Sequence, residues 1–408
     1  MPGPRLLTVA DQAAARRELE AVGCDPGGID RMATKMLGRV VKVPAVPCRE
    51  ANILKQEMLS LGGDAAVTRG TVACTPPATD VLLIGSHRHL TQLCGRLPAQ
   101  PFGLAALGKQ LAALLETLET PPTRLAGRGC VLDCRRPLIM GILNVTPDSF
   151  SDGGRYRDVS SALRQAEAMV AEGTDLIDVG GESTRPGAPA VSEAEELERV
   201  LPVVDALKRD FAVPVSVDTY KSEVARQAVA AGAEFINDIS GFRFDEQMAA
   251  TVAATGAGAF LMHIRGRPET MQSDTVYDDL IGEVVSALEH SLQRARQAGV
   301  PEENLAVDPG IGFGKDIAGN LEILRRLPEF LSLGRPVLLG TSRKGFLGRI
   351  AGQPDPGRRL AGTLATVALG VAGGARIFRV HDVGPAREAA LTAWAVVKGR
   401  IENVEPRM

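Results

Sequence analysis

From Leu138 to Phe378 one rhythm governs the chain: a short apolar run, then a helical segment, eight times over. The runs are Leu138–Leu143, Leu176–Val179, Val213–Val217, Phe235–Asn237, Ala259–Met262, Leu305–Val307, Pro336–Leu339 and Arg376–Phe378. Between them lie Ser161–Glu172, Glu193–Arg209, Ser222–Ala231, Leu280–Ala298, Arg358–Gly370 and Pro385–Val397, all with helical texture. Strands that are apolar throughout are covered on both faces, which is the condition of a parallel sheet. Eight such units in about 275 residues suit a closed (β/α)8 TIM barrel within an α/β chain. An open doubly wound sheet is the alternative. Against it, no Gly-rich dinucleotide fingerprint follows any of the runs.

Ahead of the barrel, Pro and Gly cluster in Glu119-Thr-Pro-Pro-Thr-Arg-Leu-Ala-Gly-Arg-Gly129, which reads as a linker. Residues 1–125 are expected to form a small α/β domain of unassigned role, and 126–408 the catalytic barrel. In the first domain strands are expected at Arg39–Val43, Ala66–Thr68 and Asp80–Ile84, with helices at Ala10–Val22, Ala51–Leu61 and Leu104–Leu118. His87 and His89 read as turn residues there, and His290 as a helix surface residue.

Composition narrows the function classes. A net charge of −3 offers no surface for nucleic acid or an anionic membrane, and aromatics at 4% offer no base-stacking platform. No apolar stretch suits a signal peptide or a membrane span. Six cysteines, none in a C-x-x-C pair and none beyond Cys134, read as reduced, mostly buried thiols, and hence point to a cytoplasmic protein.

In such a barrel the site lies at the C-terminal ends of the strands. Those ends carry Asn144, Asp178 with Glu182, Asp218, Asn237 with Asp238, His263, Asp308, Ser342 to Lys344, and Arg379 with His381. One polar strand end is usually a helix cap; eight in a row make a site. Arg185, Lys344, Arg379 and His381 call for an anion, because guanidinium forks grip phosphate oxygens in two places. Arg379-Val380-His381 is in strand register, so Arg and His share one face. Asp218, Asn237 and Asp308 call for a flat heterocycle rich in N–H groups, since buried carboxylates without donors are costly. His263 reads equally as a satisfied core histidine or a ligand contact.

These stretches resemble the dihydropteroate synthase family. Gly141-Ile-Leu-Asn-Val-Thr-Pro-Asp-Ser-Phe-Ser-Asp-Gly-Gly154 and Ile177-Asp-Val-Gly-Gly-Glu-Ser-Thr-Arg-Pro-Gly187 are similar to its two signatures. Val215-Ser-Val-Asp-Thr219, Ile236-Asn-Asp-Ile239, Asp308-Pro-Gly-Ile-Gly-Phe-Gly-Lys315, Ser342-Arg-Lys344 and Arg379-Val-His-Asp-Val383 follow in family order. The resemblance implies condensation of 6-hydroxymethyl-7,8-dihydropterin diphosphate with 4-aminobenzoate, with magnesium as cofactor. It implies that Asn144 supplies an oxygen to the magnesium and that Thr184, Arg185, Arg379 and His381 hold the diphosphate. It further implies that Asp218, Asn237, Asp308 and Lys344 bind the pterin, and that Thr184, Pro186, Phe313 and Lys344 line the aminobenzoate pocket. Asp218, Asp308 and Lys344 are the catalytic group on this reading. A homodimer and sensitivity to sulfonamides are also implied.

The loop after the first strand reads as a flap. Thr146, Asp148, Ser149, Ser151 and Asp152 offer oxygens for magnesium, diphosphate or the Ser183–Gly187 loop, and Gly153 and Gly154 supply freedom for closure. Two positions depart from the common pattern: Thr341 stands where a larger apolar residue is usual, and Gly345 where the family often has Ser. A methyltetrahydrofolate–corrinoid methyltransferase would keep the acids but not the diphosphate clamp. A non-catalytic pterin-binding regulator is the third reading.

Overall fold

The inward side chains of eight short strands, closed into a ring, decide where chemistry can occur. The computed structural model describes residues 3–145 and 155–399. The chain divides into two compact units, Met1–Thr120 and Pro121–Met408.

In the first unit β1 (Gly38–Pro47), β2 (Asp64–Ala66) and β3 (Ala78–Ser86) form an antiparallel sheet in the order β1-β3-β2. Along β3 burial alternates, so Val81 and Leu83 face Leu54, Met58, Leu90 and Leu93 of the helices Cys48–Leu61 and His87–Arg96. The helices Gln12–Val22 and Leu104–Glu119 match expectation, whereas Pro26–Met36 and His87–Arg96 are additions. His87 and His89 therefore open a helix rather than a turn. Ser86 caps it, accepting from the His89 N–H while the His89 ring accepts from the Ser86 N–H. The cysteine reading also needs correction. Cys48 and Cys74 form a disulfide with Cα atoms 5.3 Å apart, and of the free Cys24, Cys94, Cys130 and Cys134 only Cys134 is buried. A separation of 26 residues carries no local signal; the fold brings the start of one helix beside the turn after β2.

The second unit opens with a hairpin of β4 (Arg124–Gly127), inside the stretch read as linker, and β5 (Cys130–Asp133), just beyond it. The division falls at Thr120, and a boundary after residue 125 would cut β4. Eight parallel strands follow: β6 (Leu138–Asn144), β7 (Leu176–Gly180), β8 (Val215–Asp218), β9 (Phe235–Asp238), β10 (Gly258–Met262), β11 (Leu305–Asp308), β12 (Leu338–Leu339) and β13 (Ile377–Val380). Each pairs with its neighbours in sequence, and β13 pairs with β6. A bridge between Val307 and Val337 completes the ring, where β12 is too short for a ladder. This is the TIM barrel expected from the rhythm. Helices at Met248–Thr255, Ile317–Arg325 and Gly345–Ala351 add to those anticipated.

Outward residues such as Ile139, Ile177, Val179, Val217 and Ile236 join the helices in the main core. Inward ones form a second core: Leu138, Met140, Leu176, Phe235, Phe260, Ala306, Leu338 and Ile377, with Leu125, Leu132 and Cys134 of the hairpin beneath them. The packing is close enough that a Cβ at Gly258 would lie 2.4 Å from the Phe235 ring. The hairpin is thus a plug that closes the bottom of the ring. Among the described residues no helix is long and apolar enough to cross a membrane.

Candidate active site

One step of two residues along four of the strands carries the inward face from that apolar floor into a polar mouth. Leu176 gives way to Asp178, Phe235 to Asn237, Ala306 to Asp308 and Ile377 to Arg379, and on β8 Ser216 is followed by Asp218. Arg379 is the hub. Its Nε donates to Asp178 Oδ2 at 2.6 Å and its Nη2 to Asp218 Oδ2 at 2.7 Å. Asn237 Nδ2 donates to the same Asp178 oxygen at 3.0 Å. Burial pushes the Asp218 carboxyl up, Arg379 opposes this, and the Asp178 charge adds to the rise. Burial works against the charge of Arg379, but Asp178 and Asp218 outweigh it and hold the guanidinium firmly protonated.

Asp308 is the third buried acid, raised by burial and held down by the Gly310 N–H, which donates to it at 2.7 Å, and by Lys344. The loop after it turns through Gly310, Gly312 and Gly314, all with positive φ. At Gly310 this is obligatory, since a Cβ would fall 1.8 Å from the His263 carbonyl oxygen. Lys315 ties the loop down. Its Nζ lies 2.8 Å from His263 Nδ1 and donates to the carbonyls of Gly310 at 2.9 Å and Phe313 at 3.0 Å. His263 is therefore a satisfied core histidine, its basicity lowered to about 2 by burial and the Lys315 charge. Lys344 reaches into the same loop. Its ammonium donates to the Ile311 carbonyl and sits 4.3 Å from the centre of the Phe313 ring. Burial lowers it to about 8, against the pull of Asp308. A Cβ at Gly340 would lie 4.0 Å from both Arg379 Cβ and Asp308 Oδ2, so this bare position borders both side chains.

At the lip, His381 Nδ1 is 2.9 Å from Ser342 Oγ, and the His381 N–H donates to that oxygen at 3.1 Å. With the hydroxyl proton pointed at Nδ1, the ring proton sits on Nε2 as a donor. Burial, then Arg379 and Arg343, lower His381 to about 4, and Arg185 adds to the effect. Three guanidinium groups around one neutral histidine make a field for an anion. Arg343 itself has φ +56°, a strained value fixed from every side: its guanidinium forks onto Asp382, its N–H donates to Thr363 Oγ1 and its carbonyl accepts from Arg359. Within Ser342-Arg343-Lys344 the middle residue is the anchor that aims its two neighbours.

Asn144 ends β6 in register with Gly180, and Gly180 with Asp218. A Cβ on Gly180 would be 3.6 Å from Asn144 Oδ1 and 3.7 Å from Asp218 Cβ, so both side chains border this bare position. Beyond β7, Glu182 fixes the next loop, accepting from Tyr220 Oη at 2.8 Å and from Lys221. Thr184, Arg185 and Pro186 follow it. Arg185 and Pro186 are exposed, and the Gly187 N–H donates to the Pro268 carbonyl at 3.2 Å. Among the described residues no hydrogen bond or ion pair joins Thr184, Arg185 or Pro186 to Phe313 or Lys344. The flap residues Thr146, Asp148, Ser149, Ser151, Asp152, Gly153 and Gly154 lie outside the described residues.

Sequence reasoning noted Asp178 and Ser342 as strand ends but gave neither a role, and it passed over Lys315 and Arg343. The signal for Asp178 was available: it stands two residues before the strand-end Gly180, as Ser216 stands two before Asp218, and so shares the inward parity of the site.

Comparison with known proteins agrees with this geometry. Residues 140–381, more than half of the chain, match the family described as pterin binding enzyme. The dihydropteroate synthase of Synechocystis sp. is 51% identical over 249 residues, 61% of this chain and 86% of that protein. The probable bifunctional folylpolyglutamate synthase/dihydropteroate synthase of Halobacterium salinarum is 44% identical over 369 residues, 90% of this chain and 44% of that protein. That match extends into the first unit. The crystal structure of Xanthomonas albilineans dihydropteroate synthase with 4-aminobenzoic acid superposes with TM-score 0.64 at 44% identity, covering 68% of this chain and 98% of that one. With its barrel, its buried acid–arginine cluster and these relatives, the chain belongs to the pterin-binding enzyme family.

Proposed function

We propose that this chain is a dihydropteroate synthase, joining 6-hydroxymethyl-7,8-dihydropterin diphosphate to 4-aminobenzoate with release of diphosphate. The observation that carries the reading is Arg379 held between Asp178 and Asp218, beside Asn237 and Asp308. The acids and the amide accept the N–H edge of the pterin. Arg379 keeps Nη1 for the anion, and His381 Nε2–H and Arg185 lie toward the lip.

The bond between the pterin methylene and the diphosphate oxygen breaks first, and its electron pair leaves with the diphosphate. Asp218 and Asp308 face the cation that develops on the ring. The aminobenzoate nitrogen, already a neutral nucleophile, forms the new C–N bond, and the resulting anilinium gives its proton to solvent. Phe313 and the Lys344 ammonium, with Thr184 and Pro186 opposite, are proposed to orient it; the protein's task is placement and charge. Among the described residues no group of three or more His, Cys, Asp or Glu could hold a metal. An amide oxygen such as that of Asn144 nonetheless fits magnesium, which takes few protein ligands when phosphates supply the rest. Bound there, the ion would neutralise the leaving group.

A homodimer is proposed on Leu369, Val396 and Val397, large apolar residues exposed on the last two long helices. A cytoplasmic location rests on the four free cysteines, and the Cys48–Cys74 pair argues the other way. The purified chain, given magnesium and both substrates, should release diphosphate only when 4-aminobenzoate is present. Pterin binding with no turnover would instead favour a regulator.

A further inference from the structure

We propose that Asp178 is a positioning residue that orients Asn237 and Arg379 for the heterocycle; this rests on the pterin reading of the site. Asp178 is wholly buried on β7, turned inward between Ile177 and Val179, which belong to the outer core. Both of its contacts use one oxygen. Oδ2 accepts from Asn237 Nδ2 at 3.0 Å and from Arg379 Nε at 2.6 Å. Oδ1 has no hydrogen bond among the described residues, and neither has Ser216 Oγ, in register on the next strand.

A buried carboxylate with an idle oxygen is an expensive way to hold a barrel together. As an orienting device it is economical. The amide of Asn237 can sit either way round, and the two orientations have nearly the same shape. Only one turns N–H toward Asp178; the other sets oxygen against oxygen. Asp178 thereby leaves the Asn237 carbonyl and the second N–H for the ligand, an acceptor and a donor side by side. Arg379 is fixed in the same manner. With Nε on Asp178 and Nη2 on Asp218, the guanidinium plane is set by two carboxylates from adjacent strands. With Asp218 alone it would swing about a single contact. Oδ1 and Ser216 Oγ belong to residues in register with each other, and Ser216 is in register with the floor residue Phe235, so the polar base of this arrangement stands against the apolar core.

The test uses the full chain and 6-hydroxymethyl-7,8-dihydropterin without its diphosphate, titrated by calorimetry. Asp178→Asn is expected to weaken binding at least about tenfold, with the KM for aminobenzoate unchanged within about twofold. In an Asn237→Ala background the same change is expected to cost clearly less than in the wild-type background, because only the Arg379 share of the orienting role remains. Asp178→Asn binding like wild type, or equal losses in both backgrounds, overturns the proposal. Should Asp178→Asn not fold, Asn237→Asp places a carboxylate against Asp178 and is expected to bind the pterin more weakly than Asn237→Ala; equal or tighter binding overturns the proposal. A wild-type chain that binds no pterin overturns the reading of the site along with it, whereas normal wild-type binding with an indifferent Asp178→Asn overturns this inference alone.

Discussion

The floor and the mouth of the barrel are built by the same strands, on the same inward face, one step of two residues apart. Leu176, Phe235, Ala306 and Ile377 make the floor; Asp178, Asn237, Asp308 and Arg379 make the mouth. Below, apolar side chains and the hairpin exclude water and ask nothing of one another but fit. Above, three carboxylates, an arginine and a lysine are held close in a space with little room for solvent, and each shifts its neighbours. The lesson is that a rigid, dry layer directly beneath the charges fixes their geometry, while the charges themselves are arranged for a ligand rather than for stability.

The largest expected effect breaks the mouth. Arg379→Ala should lower kcat/KM for the dihydropterin diphosphate by about 10²–10³-fold, the scale of losing a preorganised charge at a reacting centre. It should also cost stability, on the order of 3–5 kcal/mol, because Asp178 and Asp218 are left buried without their counter-charge; denaturant unfolding alongside steady-state kinetics measures both. Phe235→Ala tests the floor. Removing a fully buried ring should cost about 3–5 kcal/mol in unfolding free energy, with KM for both substrates within about twofold of wild type at a temperature where the variant is folded. A changed KM would mean that floor and mouth are not separable.

The smallest effect sharpens the contrast within the mouth. Burial lowers Lys344 to about 8, so its ammonium is present below that pH and lost above it. Affinity for 4-aminobenzoate should therefore fall as pH rises through about 8. Stability should move the other way, since above about 8 the unfolded chain still binds the proton that the folded chain has released. Fluorescence titration and thermal melts across pH 7–10, compared with Lys344→Met, separate the two; a flat binding profile would remove the ammonium from the site.

Most of the site was legible because parallel strands in a closed ring place all their C-terminal ends on one rim. Once the eight runs were found, Asp218, Asn237, Asp308, Arg379 and His381 had to gather there. The Arg-Val-His spacing alone put two of them on one face. Lys315 and Arg343 were invisible in that reading. One is a buried cross-brace on His263, the other a strained turn anchored on Asp382, and neither follows from a periodicity. The first half of the hairpin plug was read as linker because Pro121 and Pro122 just before it and Gly127 and Gly129 within it signal a turn, and a turn signal does not say what the turn packs against.

The sequence by itself determined the ring, the rim and the chemical types collected on it, because burial periodicity and strand ends are local properties. Only the tertiary structure decided that Arg379 pairs with Asp178 and Asp218, partners 201 and 161 residues away in the chain. It alone decided that Cys48 meets Cys74 and that β4 and β5 close the floor. The barrel contacts among them depend on how strands slide and tilt against one another as the ring closes. That register is set by the packing of the whole core, and no single stretch of the chain contains it.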